Sequence, residues 1–343
     1  MLLDAAEATC FVAALLRGSG ATEISADTVA RHLVESDLRG VASHGLMRVT
    51  QYLEEIASGE IDPAAVPSYE RTAGTRIWVD GNRCFGQLAG SFAADEAAKT
   101  AAVQGVAVVT VRHAGHAGRI GAYAERLARS GLMALVCCSG PPSGHWLAPF
   151  GGVDGRLATN PIAYAFPTQG EPVVADFSTS AVPEGTIRRL RELDLPVPEG
   201  ALQDAAGRTA TEPRALYTDP PGTLLPLGGQ HFGHKGFALA LLVETLATLL
   251  AGDDTADVIR YGNNLALIAI ATDPGFQDRA ERLAEYVLSA RPVDPARPVL
   301  MPGDLERRFS ELATVIQIDA STWGALRDAA RERSLELPLP RPS

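Results

Sequence analysis

The stretch GVAVVTVRHAGHAGRIGAYAERLARSGL, residues 105–132, decides the fold class of this chain. It opens as an apolar, β-rich run ending at His113, passes through a glycine-rich turn, and closes with helical spacing over residues 119–130. Strand, glycine turn and helix in that order are what a dinucleotide-binding Rossmann unit requires. The glycines at 115, 118 and 121, however, do not form G-x-G-x-x-G. The stretch therefore points to α/β structure and away from a standard Rossmann domain.

Working outward, five more runs read as strands of the same sheet: TRIWVDG (75–81), GLMALVCCSG (131–140), PIAYAFP (161–167), PVVADFS (172–178) and LALIAIATD (265–273). Helical spacing separates them at 87–103 and 235–250. The first 60 residues read as helices: a leading one, a second capped by Ser25 and ended by Gly40, and a third over 43–57. Helices return at 278–290, 304–312 and 321–333, before a proline-rich tail.

With 343 residues, 46% of them hydrophobic and 21% charged, the chain is long and apolar enough to bury a substantial core. A net charge of -11 argues against nucleic acid and anionic membranes, which demand concentrated Lys and Arg, and favours a small-molecule ligand. Cys10, Cys84, Cys137 and Cys138 lack zinc or disulfide spacing, so a reducing compartment is expected. Acidic Asp4 and Glu7 stand where an export signal would be basic. The apolar stretch 237–251 contains Glu244 and falls short of the roughly 20 residues of a membrane span, which predicts a core helix. A cytoplasmic protein follows.

Every histidine except His32 lies beside Gly, Ser or Pro or within a glycine-rich turn. Taken singly, such histidines are turn residues; clustered, they suggest a site. His44, Arg48 and Tyr52, spaced i, i+4, i+8, would line one side of a helix, where the paired donors of Arg48 match a carboxylate. The bland reading is an ordinary surface arginine. His116 follows a strand and precedes a helix, a position from which a sheet edge delivers a side chain into a cleft, and its near-neutral pKa suits proton exchange. The glycine-rich loop ahead of 235–250 would leave free N–H groups beside His234 and Lys235, a seat for phosphate. The H-x-x-H pairs at 113/116 and 231/234 permit a metal reading, but no Cys or acidic ligand flanks them at metal-site spacing, and no metal is expected.

The run ESDLRGVASHGLMRVTQY (35–52) resembles the opening motif of the non-Rossmann malate/L-lactate dehydrogenase family, which includes ureidoglycolate, sulfolactate and cyclic-imine enzymes. Similar matches follow in family order: DGNRCFGQLAG (80–90), VRHAGHAGRIGAYAERLARSGL (111–132), APFGGVDGRLATNPIAYAFP (148–167), VVADFSTSAVPEG (173–185), PEGALQDAAGRTATEP (198–213), LLPLGG with HKG (224–236) and MPGDLE (301–306). They cover nearly the whole chain.

The resemblance implies a mixed, largely antiparallel nucleotide-binding sheet domain over 73–300. A helical domain built from both chain ends, 1–72 and 301–343, would flank it in a homodimer. It implies NAD or NADP as cofactor and a small carboxylate as substrate. By position, His116 looks like the general acid/base, and Ser43, His44, Arg48 and Tyr52 like the substrate-orienting set. Ser139, Thr159, Asn160, Pro161, Asp176, Phe177, Ser178 and Lys235 look like the cofactor cleft, with His234 beside them. Phe177 and Ser178 stand where the family usually has Met and Ala, Thr186 replaces a common Lys, and Ala238 replaces a Gly. Arg83 and Cys84 replace Asn and Gly, and the connection 252–263 is short. The reading is an oxidoreductase moving a hydride to or from the carbon next to a carboxylate. The alternatives are a binding or scaffold protein that kept the fold without turnover, and a histidine-ligated metal hydrolase or lyase.

Overall fold

A computed structural model describes residues 1–257 and 261–338. In chain order the elements are β1 (Leu2–Asp4), α1 (Ala5–Arg17), α2 (Glu23–Leu38), α3 (Val49–Ala57), β2 (Ser68–Ala73), β3 (Arg76–Asp80), α4 (Gly86–Gln104), β4 (Val106–Ala114), α5 (Gly121–Arg129), β5 (Leu132–Ser139), β6 (Ile162–Phe166), β7 (Val173–Phe177), α6 (Glu184–Glu192), β8 (Leu202–Gln203), β9 (Thr209–Ala210), β10 (Thr223–Leu224), α7 (Gly229–Ala247), β11 (Asn263–Ala271), α8 (Phe276–Leu288), α9 (Asp304–Leu312), β12 (Val315–Gln317) and α10 (Ala320–Glu332).

Seven strands form one sheet in the order β2-β3-β4-β11-β5-β6-β7. Only β3 and β4 run parallel; every other neighbouring pair is antiparallel. This is the mixed, mostly antiparallel sheet that the resemblance implied, and the missing glycine fingerprint is thereby explained. Period-two alternation sorts its two faces. Ile77, Val79, Val109, Val111, Leu265 and Leu267 pack under α4 and α5, where alanines let the helix backbones approach. Cys137, Ile162 and Ala266 meet Val243 and Ala247 of α7 on the other face.

The two chain ends share a separate core. Leu3, Leu15, Leu16, Leu33, Leu46 and Tyr52 pack with Ile316, Trp323 and Leu326, and β1 pairs with β12. A third, smaller cluster around Leu147, Ile187, Leu202, Leu216 and Leu224 gathers α6 and the short sheet β10-β8-β9.

Four local readings are corrected. Thr22, not Ser25, caps α2: its side chain accepts from the Ser25 N–H, so Ser25 already lies inside the helix. The segment after Ala42 is not one α-helix; two 3-10 turns, Ala42–His44 and Leu46–Arg48, precede α3 because Gly45 breaks the run in extended backbone. The helix expected from residue 235 starts at Gly229, after a left-handed Gly228. That helix and the turn after it reach Ala251, long and apolar enough to cross a membrane, a property a core helix shares; its buried side packs on β5 and β11. The short connection 252–263 includes residues 258–260, and the proline-rich tail residues 339–343, which lie outside the described residues.

Candidate active site

Gly45 sits between the two 3-10 turns because a side chain there would overlap the carboxylate of Asp37. Asp37 accepts the Leu46 N–H at 2.8 Å and so anchors the turn that carries the predicted residues. Ser43 Oγ lies 2.9 Å from His44 Nδ1, and Arg48 Nε donates to the Ser43 carbonyl at 2.7 Å. Arg48 also donates to Gln51 Oε1 at 2.7 Å, which fixes the plane of the guanidinium. In α3, Val49, Tyr52 and Leu53 are buried at i, i+3, i+4, so Tyr52 points inward.

His116 meets this cluster from the loop after β4. Its Nδ1 lies 2.8 Å from the Tyr52 hydroxyl, and its ring stacks on His44 with centroids 5.5 Å apart. Gln87, on the first turn of α4, donates to the same Tyr52 hydroxyl at 2.6 Å. The loop is pinned on both sides: Arg119 N donates to His32 Nε2 at 2.9 Å, and Ala117 N donates to Asn263 Oδ1 at 2.8 Å. The structure thus brings Ser43, His44, Arg48, Tyr52 and His116 together, although they do not share a helix.

Electrostatics keep these rings neutral. Burial pushes His44 and His32 down to about 3, with Arg48 and Arg119 respectively adding repulsion. Enclosure by protein, then the Arg48 guanidinium and the two neighbouring imidazoles, holds His116 well below the ordinary histidine value. Burial likewise lowers Arg48 and raises Tyr52.

The predicted cofactor residues gather along one edge of the sheet. Ser139 ends β5, Pro161 precedes β6, and Phe177 ends β7 opposite Ile162, so three strand ends meet there. Asn263 begins β11 beside them and donates to the Ser139 carbonyl at 2.9 Å, joining this edge to the His116 loop. Several side chains at the edge face the protein rather than the open side. Ser139 Oγ lies 2.6 Å from Thr248 Oγ1. Asn160, fully buried with φ of 37°, donates to the Ala240 carbonyl and to Glu244. Thr159 offers its carbonyl to Thr179, and Asp176, although exposed, accepts the Gly121 N–H at 2.7 Å.

Leu227 N donates to the Thr179 carbonyl, so the start of α7 borders the same edge. His234 and Lys235 are exposed on its second turn, one turn beyond the helix start at which the sequence reading placed them. His234 meets the Phe150 ring edge-on, and Lys235 lies over Phe232. Residues and group fit in kind: the N-terminus of a 19-residue helix, a nearby cation and the exposed Phe177 ring offer an anion seat and an apolar wall.

Asp37, Gln87 and Asn263 escaped the sequence reading. Asp37 and Gln87 lie inside motifs read for other residues, and a lone Asn ahead of a strand carries no signal.

A cleft of about 540 Å³ reaches Ala114 and Gly115 and is lined by five carboxylates, Glu55, Glu60, Asp80, Asp253 and Asp257, against Arg83 and His113. Such a lining repels an anionic substrate, and none of the predicted site residues borders it. His113 is turned to Asp80 at 2.9 Å, away from His116. Among the described residues no three His, Cys, Asp or Glu side chains converge as metal ligands.

Residues 3–327 match the family of malate/L-lactate dehydrogenases. Hydroxycarboxylate dehydrogenase B of Escherichia coli K12 is 32% identical over 96% of this chain and 93% of its own length. A putative malate/lactate dehydrogenase from E. coli superimposes with a TM-score of 0.90 at 32% identity, covering 98% of this chain and 96% of that one. The delta1-piperideine-2-carboxylate reductase of Pseudomonas syringae does so with 0.84 at 28%, covering 96% and 100%. The chain belongs to the malate/L-lactate dehydrogenase family, whose members are NAD(P)-dependent dehydrogenases.

Proposed function

We propose that this protein is a cytoplasmic, homodimeric oxidoreductase that uses NAD or NADP to interconvert a small 2-oxo or cyclic 2-imino acid with its 2-hydroxy or 2-amino counterpart. One observation carries the reading: a neutral imidazole, His116, is held by Tyr52 within a cluster whose cation is the oriented Arg48. When bound, the reduced nicotinamide supplies the hydride. Arg48 takes the substrate carboxylate on guanidinium N–H groups that its protein partners leave over, and so places the neighbouring carbon. His116 exchanges the proton at the substrate oxygen or nitrogen, and His44, stacked on it, limits the ring's freedom.

The sheet edge from Ser139 through Asn160 to Ser178, with Lys235 beyond it, supports the nucleotide mainly with backbone and apolar surface. Homodimerisation is supported by α8, where Leu283, Tyr286 and Leu288 are exposed on a helix that buries only Ala280 and Ala284. The acidic chain with four free cysteines supports a cytoplasmic place.

Fluorescence titration with NADH and NADPH, followed by an absorbance assay against 2-oxo acids and cyclic imines, tests the proposal. Binding with turnover is the expected outcome. A folded protein that binds neither dinucleotide would instead be a scaffold, the reading that Phe177 and Ser178 at the cofactor edge would favour.

A further inference from the structure

Gln87 and Tyr52 are both fully buried, and their hydrogen bonds have a fixed sense. An amide nitrogen only donates, so the Tyr52 oxygen accepts from Gln87 Nε2 at 2.6 Å. The one phenolic proton then points along the 2.8 Å contact to His116 Nδ1, which must accept it. A neutral imidazole carries a single N–H, so here it is on Nε2, the nitrogen left for the substrate.

Among the described residues no carboxylate bonds to the ring to favour its cation. The groups around it are Arg48, His44 and His32, with Arg119, Glu55, Glu184 and Arg188 beyond them. An imidazole that lost its Nε2 proton with nothing in return would become an imidazolate, a far stronger base than the phenolate that Tyr52 would leave.

We propose that Tyr52 is the proton source for reduction, passing its phenolic proton to Nδ1 of His116 as Nε2 gives its own to the substrate, with Gln87 as the positioning residue that sets the direction of the chain. The inference rests on the oxidoreductase reading. As hydride adds to the substrate carbon, the C=O or C=N π pair moves onto the heteroatom, which takes the Nε2 proton. The pair of the broken N–H bond enters the ring, Nδ1 bonds the Tyr52 proton, and the imidazole stays neutral. Tyr52 is left as a phenolate that accepts the Gln87 N–H and faces the Arg48 charge. When product leaves, water protonates Nε2 on the substrate side, Nδ1 returns its proton to the phenolate, and the starting tautomer is restored. In oxidation the phenolate receives the proton, so that direction gains with rising pH.

The test begins on the free protein with 15N-labelled histidine, the His116 signals being assigned by their loss in His116→Ala. At neutral pH the ring is expected to be neutral and protonated on Nε2. Protonation on Nδ1, or an imidazolium, overturns the proposal. In kinetics, kcat/KM for reduction is expected to stay level between about pH 6 and 8, where an imidazolium acid would lose about tenfold per pH unit. Tyr52→Phe is expected to lower kcat at least about 100-fold with dinucleotide Kd and substrate KM unchanged; kcat within about threefold of wild type overturns it. Should that variant not fold, Gln87→Met serves: it frees the phenol to turn, and the Nε2–H preference of the ring is expected to weaken, an unchanged ring overturning the role of Gln87. If wild-type protein reduces no 2-oxo or 2-imino acid with either dinucleotide, the functional reading fails, while the ring tautomer still tests the chain. If it turns over but His116 is protonated on Nδ1, the relay alone fails.

Discussion

The His116 cluster and the sheet edge from Ser139 to Ser178 lie on either side of one residue, Asn263, and they are built on opposite principles. In the cluster the side chains of Tyr52, Gln87, His44, Arg48 and His116 meet one another or the turn that carries them. At the edge polar side chains turn inward, Ser139 to Thr248 and Asn160 to Ala240 and Glu244. Substitutions should therefore cost rate on one side, and stability or dinucleotide affinity on the other.

The widest gap is expected at His116. Replacing it with alanine should lower kcat by about 10²- to 10⁴-fold and leave dinucleotide affinity within about twofold, as steady-state rates and fluorescence titration would record. Equal losses in both quantities would merge the two regions. Arg48→Ala should instead raise KM for carboxylate substrates about 10- to 100-fold, and its effect should shrink for an analogue lacking the carboxylate.

Across the boundary, Asn160→Ala should destabilise the protein by roughly 2–4 kcal/mol in urea unfolding. It removes two buried hydrogen bonds and places alanine at a left-handed φ of 37°. Asn160→Gly relieves the backbone but not the bonds, so it should recover about 1 kcal/mol of that loss. A sizeable fall in kcat with no loss of stability would mean that the edge acts on the chemistry directly.

The contrast also explains what the sequence could reveal. Histidine and arginine in glycine-rich turns are rare enough to be noticed, and the strands announced themselves as β-branched runs, so β3 to β7 and β11 were legible. The exposed β2, SYERTA, lacks an alternating apolar face, and the short β8, β9 and β10 are held by tertiary contacts, so neither was. The spacing of His44, Arg48 and Tyr52 suggested one helix; Gly45 breaks it, yet Asp37 and the Ser43 carbonyl bring the side chains together by other bonds. What Gln87, Asp37 and Asn263 do depends on a partner far along the chain or across a turn, which spacing does not encode.

The smallest effect is expected at Asp37, and its sign depends on pH. Burial, with the Asp319 charge adding to it and the Leu46 N–H bond opposing, raises its carboxyl to about 7. A carboxyl raised on folding favours the folded state while both states are protonated, near pH 4 and below. That advantage is lost as pH rises from about 4 to 7, because the unfolded chain ionises there while the buried carboxyl keeps its proton. Asp37→Asn keeps an oxygen for the Leu46 N–H and removes the charge. Its stability should match wild type near pH 4 and exceed it by roughly 1–3 kcal/mol near pH 8, read by urea unfolding at both values. A variant less stable than wild type at pH 8 would mean that the ionised carboxylate holds the turn better than burial penalises it. In that case KM should rise as well, since Ser43 and Arg48 hang on that turn; a stabilised variant with unchanged KM would show that the carboxylate's bond, not its charge, seats the catalytic cluster.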